Sequence, residues 1–125
     1  MPEQKKILVI DDDITLQEFY TQVLSAHVVK FCTSGEDAVA WLEAGAKFDL
    51  IFLDLDLLGM SGFMVLERFK EIRTEDFPPV IVNSCLTDDE TQKRALDNGA
   101  VAFMYKPIGM DNLLGLTQRF LGVPQ

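Results

Sequence analysis

Five polar residues follow short apolar segments of the sequence, and their side chains together could carry out phosphoryl chemistry: Asp11, Asp12, Asp54, Ser84 and Lys106. Clustered carboxylates repel one another, and a hard cation such as Mg²⁺ neutralises them. A hydroxyl and an ammonium group suit a phosphoryl group, as hydrogen-bond donor and point charge. Because an aspartate can be the nucleophile that forms an acyl phosphate, this set predicts Mg²⁺-dependent phosphoryl chemistry on a carboxylate, provided that the fold brings the five together.

The apolar segments that precede these residues predict five β-strands. All but the second are apolar nearly throughout, as expected for strands that are covered on both faces. They span residues 7–10, 28–32, 50–53, 80–83 and 102–105.

Segments with helical spacing separate and follow these strands. The first has an apolar stripe from Leu16 to Leu24, and its N-terminus could be capped by Asp13, or by Thr15 with Glu18 completing a capping box. Ser34 is predicted to cap the second, and the fourth, residues 88–97, has little apolar surface. Turn-forming residues are predicted to end three of these helical segments. Gly45 would end the second, Pro78 and Pro79 the third, and Gly122 and Pro124 the fifth.

Strict alternation of strands and helices predicts an α/β fold, with one parallel sheet covered by helices on both faces. The carboxyl ends of parallel strands lie at one edge of the sheet, where open α/β sheets bind ligands. Each of the five polar residues also has an ordinary structural explanation, as a helix cap, a buried hydroxyl or a surface turn. Their predicted convergence at one edge favours a functional site.

Composition narrows the function further. A formal net charge of −9 disfavours nucleic acid or an anionic membrane as the direct partner. Cys32 and Cys85 have no metal-binding spacing, which favours free thiols in a reducing compartment. No signal peptide or apolar run of about 18 residues is present in the sequence. We therefore expect a single cytoplasmic domain over residues 1–125 without membrane insertion.

Four segments of the chain resemble the receiver (CheY-like) domain of two-component response regulators. They are the first strand with its acidic pair, the loop after the third strand, the fourth strand with its hydroxyl residue, and the Lys-Pro ending: "ILVIDDD", "IFLDLDLLGMSG", "PVIVNSC" and "GAVAFMYKPI". The resemblance covers essentially the whole chain. It implies a doubly wound, flavodoxin-like five-stranded sheet of order 2-1-3-4-5.

The resemblance also implies roles for individual residues. Asp54 would be the phosphoacceptor, and with Asp12 it would ligate Mg²⁺ (or Mn²⁺), while Asp11 would act mainly through a metal-bound water. Asp56 would contribute its backbone carbonyl to the metal, and its carboxylate has no assigned role.

Three further positions would bind the phosphoryl group or respond to it. Ser84 would donate a hydrogen bond to a phosphoryl oxygen, and Lys106, before an expected cis Pro107, would pair with the phosphoryl group and the acids. Phe103 lies at the family's aromatic switch position, although a simple core role is the alternative.

The function implied by the resemblance is signalling rather than turnover of a substrate. A histidine kinase or histidine phosphotransfer protein would donate the phosphoryl group, and the domain would promote its own phosphorylation and a slow hydrolysis. Phosphorylation would alter the face built by helix 4, strand 5 and helix 5. The domain would then act on a downstream protein or a fused output domain, without direct contact to nucleic acid.

Three positions depart from the family pattern. Leu58 replaces a usual proline and could make its loop less rigid, and Cys85 replaces a smaller residue and could narrow access to the phosphoryl group. Asp56 adds an acid that could change metal affinity or the lifetime of the acyl phosphate.

Other protein classes fit the sequence less well. "DLDLL" nearly matches the motif of haloacid-dehalogenase-type phosphatases, in which the first Asp is the nucleophile, yet here the acidic pair precedes this motif. An EF-hand calcium loop starting at Asp54 fails at its twelfth position, Val65. A degenerate receiver that only binds proteins is not favoured, since every required group is present.

Overall fold

The computed structural model describes residues 4–122 of the chain. Strands and helices alternate: β1 (Lys6–Ile10), α1 (Leu16–Val23), β2 (Val28–Cys32), α2 (Gly35–Glu43), β3 (Leu50–Asp54), α3 (Gly62–Ile72), β4 (Val80–Ser84), α4 (Asp89–Asp97), β5 (Ala102–Tyr105) and α5 (Met110–Leu121).

The five strands form one sheet of order β2-β1-β3-β4-β5, and every pairing within it is parallel. This confirms the predicted doubly wound fold. β3 and β4 each extend one residue beyond the prediction, so Asp54 and Ser84 are the last residues of their strands. The backbone that carries these two side chains is therefore paired within the sheet.

Helices cover both faces of the sheet, which explains the nearly continuous apolar strands. Leu8 and Ile10 of β1 pack with α2, α3 and α4, whereas Ile7 and Val9 pack with α1 and α5. The strands β3 and β4 are buried throughout, while the edge strand β2 is buried only at Cys32. The carboxyl ends of the central strands thus lie between two layers of helices. The assignment of one domain to residues 1–125 stays a prediction.

Side chains cap three of the helices, but the predicted capping box of α1 is wrong. Ser34 accepts a hydrogen bond from the Asp37 N–H at 3.0 Å, which confirms the predicted cap of α2. Thr15 already has helical backbone angles, φ −68° and ψ −18°, whereas a capping side chain requires an extended backbone. Instead, Asp13 accepts a hydrogen bond from the Thr15 N–H at 3.0 Å.

The prediction that Pro78 and Pro79 end α3 is also wrong. The helix ends at Ile72, because Arg73 turns to an extended conformation with φ −66° and ψ 131°. The chain then folds back so that the Phe77 ring packs on Phe69, with 5.3 Å between the ring centroids.

The other predicted helix ends agree with the structure as far as it extends. Gly45, with φ +98°, follows α2, and Gly122, with φ +83°, follows α5. Pro124 lies outside the described residues. The Lys106–Pro107 peptide bond is cis, as expected. Within residues 4–122, no helix is both long enough and apolar enough to cross a membrane.

Candidate functional site

Three carboxylates and one ammonium group meet at the carboxyl edge of the sheet. Asp11, Asp12 and Asp54 each place an oxygen within 4.8 Å of the others, and Asp11 and Asp54 are buried. The Lys106 Nζ atom lies 3.0 Å from Asp54 Oδ2 and 4.0 Å from Asp11 Oδ2. The sheet thus brings together four of the five residues that the sequence singled out.

The fifth, Ser84, is buried and lies beside Asp56 at the same edge. The Ser84 hydroxyl donates a hydrogen bond to Asp56 Oδ1 at 2.9 Å and accepts one from the Leu86 N–H at 3.0 Å. Asp56 Oδ2 accepts a further hydrogen bond from the Cys85 N–H at 2.9 Å. The carboxylate that the sequence left without a role therefore joins the β3–α3 loop to the β4–α4 loop.

A signal for this contact exists in the strand register. Asp54 lies opposite Asn83 in the pairing of β3 and β4. Continuing both chains by two residues places Asp56 beside Cys85. Sequence reasoning that paired the strands residue by residue could have found this neighbour.

Backbone N–H groups of the β3–α3 loop donate hydrogen bonds to two of the acids. Asp54 Oδ1 accepts a hydrogen bond from the Asp56 N–H at 2.8 Å, and Asp12 Oδ2 accepts one from the Leu58 N–H at 3.0 Å. A proline has no N–H to donate. Leu58, which departs from the family pattern, therefore donates a hydrogen bond that joins this loop to the segment after β1.

Burial and neighbouring charges shift the pKa values of Asp11 and Lys106. Burial raises the pKa of Asp11 to about 6, and the neighbouring Asp54 charge adds to the shift, while a hydrogen bond from the Asp13 N–H at 2.9 Å and the charge of Lys106 oppose it. Burial alone would lower the pKa of Lys106, but the hydrogen bond and charge of Asp54 outweigh it and raise that pKa above its usual value. The metal-free site therefore holds more negative charge than one lysine balances.

Replacing Asp11 by Asn should stabilise the metal-free protein at neutral pH. The pKa of Asp11 is raised to about 6 in the folded state, so the folded protein binds more protons than the unfolded chain between about pH 4 and 6. Stability conferred by protonated Asp11 is thus lost as the pH rises through that window. We expect Asp11→Asn to gain roughly 1–3 kcal/mol at pH 7.5 in the presence of a chelator.

Thermal unfolding at several pH values checks this expectation. The gain should shrink as the pH falls from 7.5 to about 4, because Asp11 is then protonated in the folded state and its ionisation no longer costs stability. Asp76→Asn, which changes an exposed acid outside the cluster, is the control and should show no such trend. A gain for Asp11→Asn that is the same at both pH values would contradict the explanation.

Contacts of Phe103 and Tyr105 join β5 to α4 and to the core on one face of the sheet. Phe103 is half-buried and packs against the core beneath α2, α3 and α4, with its ring centroid 5.1 Å from that of Tyr105. The Tyr105 hydroxyl donates a hydrogen bond to Gln92 Oε1 of α4 at 3.0 Å. Ala95 is the buried residue of α4, so this helix contributes little apolar surface to the core, as the sequence predicted.

The positions of the acids argue against the other protein classes. The acidic pair follows β1 and Asp54 ends β3, which is the receiver arrangement and reverses the order of the phosphatase motif. Val65, the twelfth position of the calcium loop, is buried within α3 and offers no ligand atom.

Comparison with known proteins agrees with the geometry of the site. The response regulator receiver domain family matches residues 7–118. A protein-glutamate methylesterase/protein-glutamine glutaminase of Methanospirillum hungatei is 36% identical over 114 residues, covering 86% of this chain and 32% of its own length. The transcriptional regulatory protein HprR of Escherichia coli is 34% identical over 111 residues, covering 87% of this chain and 48% of its own length. The chain thus spans about a third to a half of these curated relatives.

Solved structures show the same fold. The chemotaxis protein CheY4 of Vibrio cholerae superposes with a TM-score of 0.82 at 26% identity, covering 95% of this chain and all of that one. The BeF3-activated receiver domain of DrrB, a Thermotoga maritima protein, superposes with a TM-score of 0.83 at 31% identity, covering 97% of this chain and 100% of that one. Neither the family match nor these relatives support the phosphatase alternative. The chain belongs to the response regulator receiver domain family of two-component systems.

Proposed function

We propose that Asp54 accepts a phosphoryl group from the phosphohistidine of a histidine kinase or a histidine phosphotransfer protein. The observation that carries this proposal is the position of Asp54 at the end of β3, where Lys106 Nζ lies 3.0 Å from Oδ2 and the oxygens of Asp11 and Asp12 are close by. An anionic nucleophile beside a fixed cation suits in-line attack on a phosphoryl group.

The acids fit a divalent cation. Asp11 Oδ2 is buried and has no hydrogen-bond partner among residues 4–122, and Asp11 belongs to the cluster of three carboxylates. Asp11, Asp12, Asp54 and the backbone carbonyl of Asp56 would hold Mg²⁺ or Mn²⁺, which are hard cations that prefer oxygen ligands. When bound, the cation neutralises charge on the carboxylates and on the transferring phosphoryl group.

Different side chains of this protein would have different roles in the transfer of the phosphoryl group. A carboxylate oxygen of Asp54 forms a bond to phosphorus as the P–N bond of the phosphohistidine breaks, and the imidazole leaves with the electron pair and takes up a proton. Lys106 compensates the negative charge of the phosphoryl oxygens, and the Ser84 hydroxyl donates to one of them. Attack of water on the acyl phosphate later returns Asp54 and inorganic phosphate, so the domain is reset slowly without turning over a separate substrate.

The signal would leave through the α4–β5–α5 face. Movement of Ser84 towards the phosphoryl group would let Phe103 turn inward and shift a pre-existing equilibrium of this face. The small buried surface of α4 makes that helix the low-stability element that can respond.

The output would be passed on by protein contact in the cytoplasm, to a downstream protein or a fused output domain. The relatives named as a methylesterase and a transcriptional regulator are two to three times longer than the part that this chain matches. A charge of −9 makes this domain itself a poor ligand for nucleic acid.

Intact-mass spectrometry tests the proposal. The protein incubated with a small phosphodonor and Mg²⁺ should gain the mass of one phosphoryl group, because every group that the proposal requires belongs to this chain. The gain should be lost when a chelator replaces Mg²⁺ and should decay after the donor is removed. A protein that gains no mass under these conditions would not be a phosphoacceptor.

A further inference from the structure

The carboxylate of Asp56 uses both oxygens to hold the β4–α4 loop. Oδ1 accepts a hydrogen bond from the Ser84 hydroxyl and Oδ2 accepts one from the Cys85 N–H, each at 2.9 Å. The two donors are adjacent in the chain and the two acceptors belong to one carboxylate. Asp56 therefore fixes the position and the direction of the segment that ends β4.

This contact conflicts with binding of a phosphoryl group by Ser84. A hydroxyl has a single proton to donate, and the Ser84 proton is directed to Asp56 while its oxygen accepts the Leu86 N–H at 3.0 Å. Ser84 cannot donate that proton to Asp56 and to a phosphoryl oxygen at the same time. The carboxylate and the phosphoryl oxygen are both ionised acceptors. Capture of Ser84 by the phosphoryl group therefore breaks one charge-assisted hydrogen bond to form another, and the loss of the donor to Asp56 Oδ1 offsets part of the gain.

We propose that Asp56 is a positioning residue that competes with the phosphoryl group for the Ser84 hydroxyl. Its carboxylate stabilises the arrangement in which the β4–α4 loop is joined to the β3–α3 loop, and capture of Ser84 by a phosphoryl oxygen requires that arrangement to open. The inference rests on the proposed function, since it assigns to Ser84 the role of donor to the phosphoryl group. Asp56 thereby sets how readily the domain switches.

Two substitutions separate this hydrogen-bond competition from a simple effect of charge. Asp56→Ala removes both acceptors, whereas Asp56→Asn removes the charge and keeps one oxygen that can accept the Ser84 hydroxyl. Both keep the backbone carbonyl that would face the metal. Competition for the hydroxyl predicts an Asn variant closer to the wild type than the Ala variant is, while a charge effect predicts that the two behave alike.

The measurement is the affinity for beryllofluoride, a mimic of an aspartyl phosphoryl group, at saturating Mg²⁺ so that metal affinity does not contribute. Asp56→Ala should bind about fivefold to tenfold more tightly than the wild type, because Ser84 is free to donate. In a Ser84→Ala background most of this gain should vanish. Amide hydrogen exchange of Cys85 in the metal-free protein should also be faster in Asp56→Ala.

The outcomes distinguish the inference from the proposed function. If the wild type binds beryllofluoride and Asp56→Ala binds it no more tightly, or the gain persists in full without Ser84, the competition is overturned and the phosphoacceptor function stands. Equal gains for Asp56→Ala and Asp56→Asn also overturn it, in favour of charge. A wild type that does not bind beryllofluoride overturns the function and the inference together.

Discussion

Asp54→Asn should abolish incorporation of a phosphoryl group. The amide has nearly the shape of the carboxylate, and its oxygen can still accept the Asp56 N–H that Asp54 Oδ1 accepts at 2.8 Å. It lacks the anionic oxygen that attacks phosphorus, however, so the loss is chemical rather than structural. We expect no detectable adduct by intact mass, with an unfolding temperature close to that of the wild type.

The matched control is Asp13→Asn, the third acid of the "DDD" segment. Asp13 lies outside the cluster of three carboxylates, and its side chain accepts the Thr15 N–H, which an asparagine can also do. This variant should still form the adduct. If Asp54→Asn formed it as the wild type does, the nucleophile would be another residue.

Gly62→Ala should have the largest effect on stability. A Cβ atom at this position would overlap Leu55 Cα and lie 2.7 Å from the Asp54 carbonyl oxygen, so backbone atoms at the end of β3 would have to move. Overpacking against backbone that the sheet holds in place is expected to cost about 3 kcal/mol. For a domain of this size that corresponds to a fall of about 10–15 °C in the unfolding temperature.

Gly115→Ala is the control for that substitution. Gly115 lies inside α5, and a Cβ atom there would meet nothing within 4 Å in the described part of the chain. Alanine is the better helix former, so this variant should gain about 0.5–1 kcal/mol. Urea unfolding of both variants measures the two changes directly. Equal stability of Gly62→Ala and the wild type would show that the α3 N-terminus can move away from β3.

The fold was predictable because burial on both faces of the sheet leaves a strong local signal. Strands such as β3 are apolar at every position before the terminal Asp54, and the predicted limits differ from the observed ones by a single residue. The acid cluster was predictable for a related reason. In a parallel sheet the chain direction alone decides that Asp11, Asp54 and Lys106 end up at one edge.

Features that depend on loop paths were not predictable in this way. The contact of Asp56 with Ser84 requires the register of β3 against β4, and the Leu58 N–H reaches Asp12 from a residue 46 positions away. The start of α1 and the end of α3 depend on the backbone conformations of Thr15 and Arg73. Residues of many types can adopt these conformations, so the sequence does not specify them. Asp56 and Leu58, two of the positions that depart from the family pattern, take part in these loop contacts.

The most direct test of the central claim is to locate the phosphoryl group in the chain. Borohydride reduces an acyl phosphate of aspartate to homoserine, so a protein treated with phosphodonor and Mg²⁺ can be reduced, digested and mapped by mass spectrometry. We expect homoserine at position 54, dependent on both donor and Mg²⁺, and at no other acid of the site. Homoserine at another acid, or a stable phosphoester on Ser84 with Asp54 unmodified, would contradict the account.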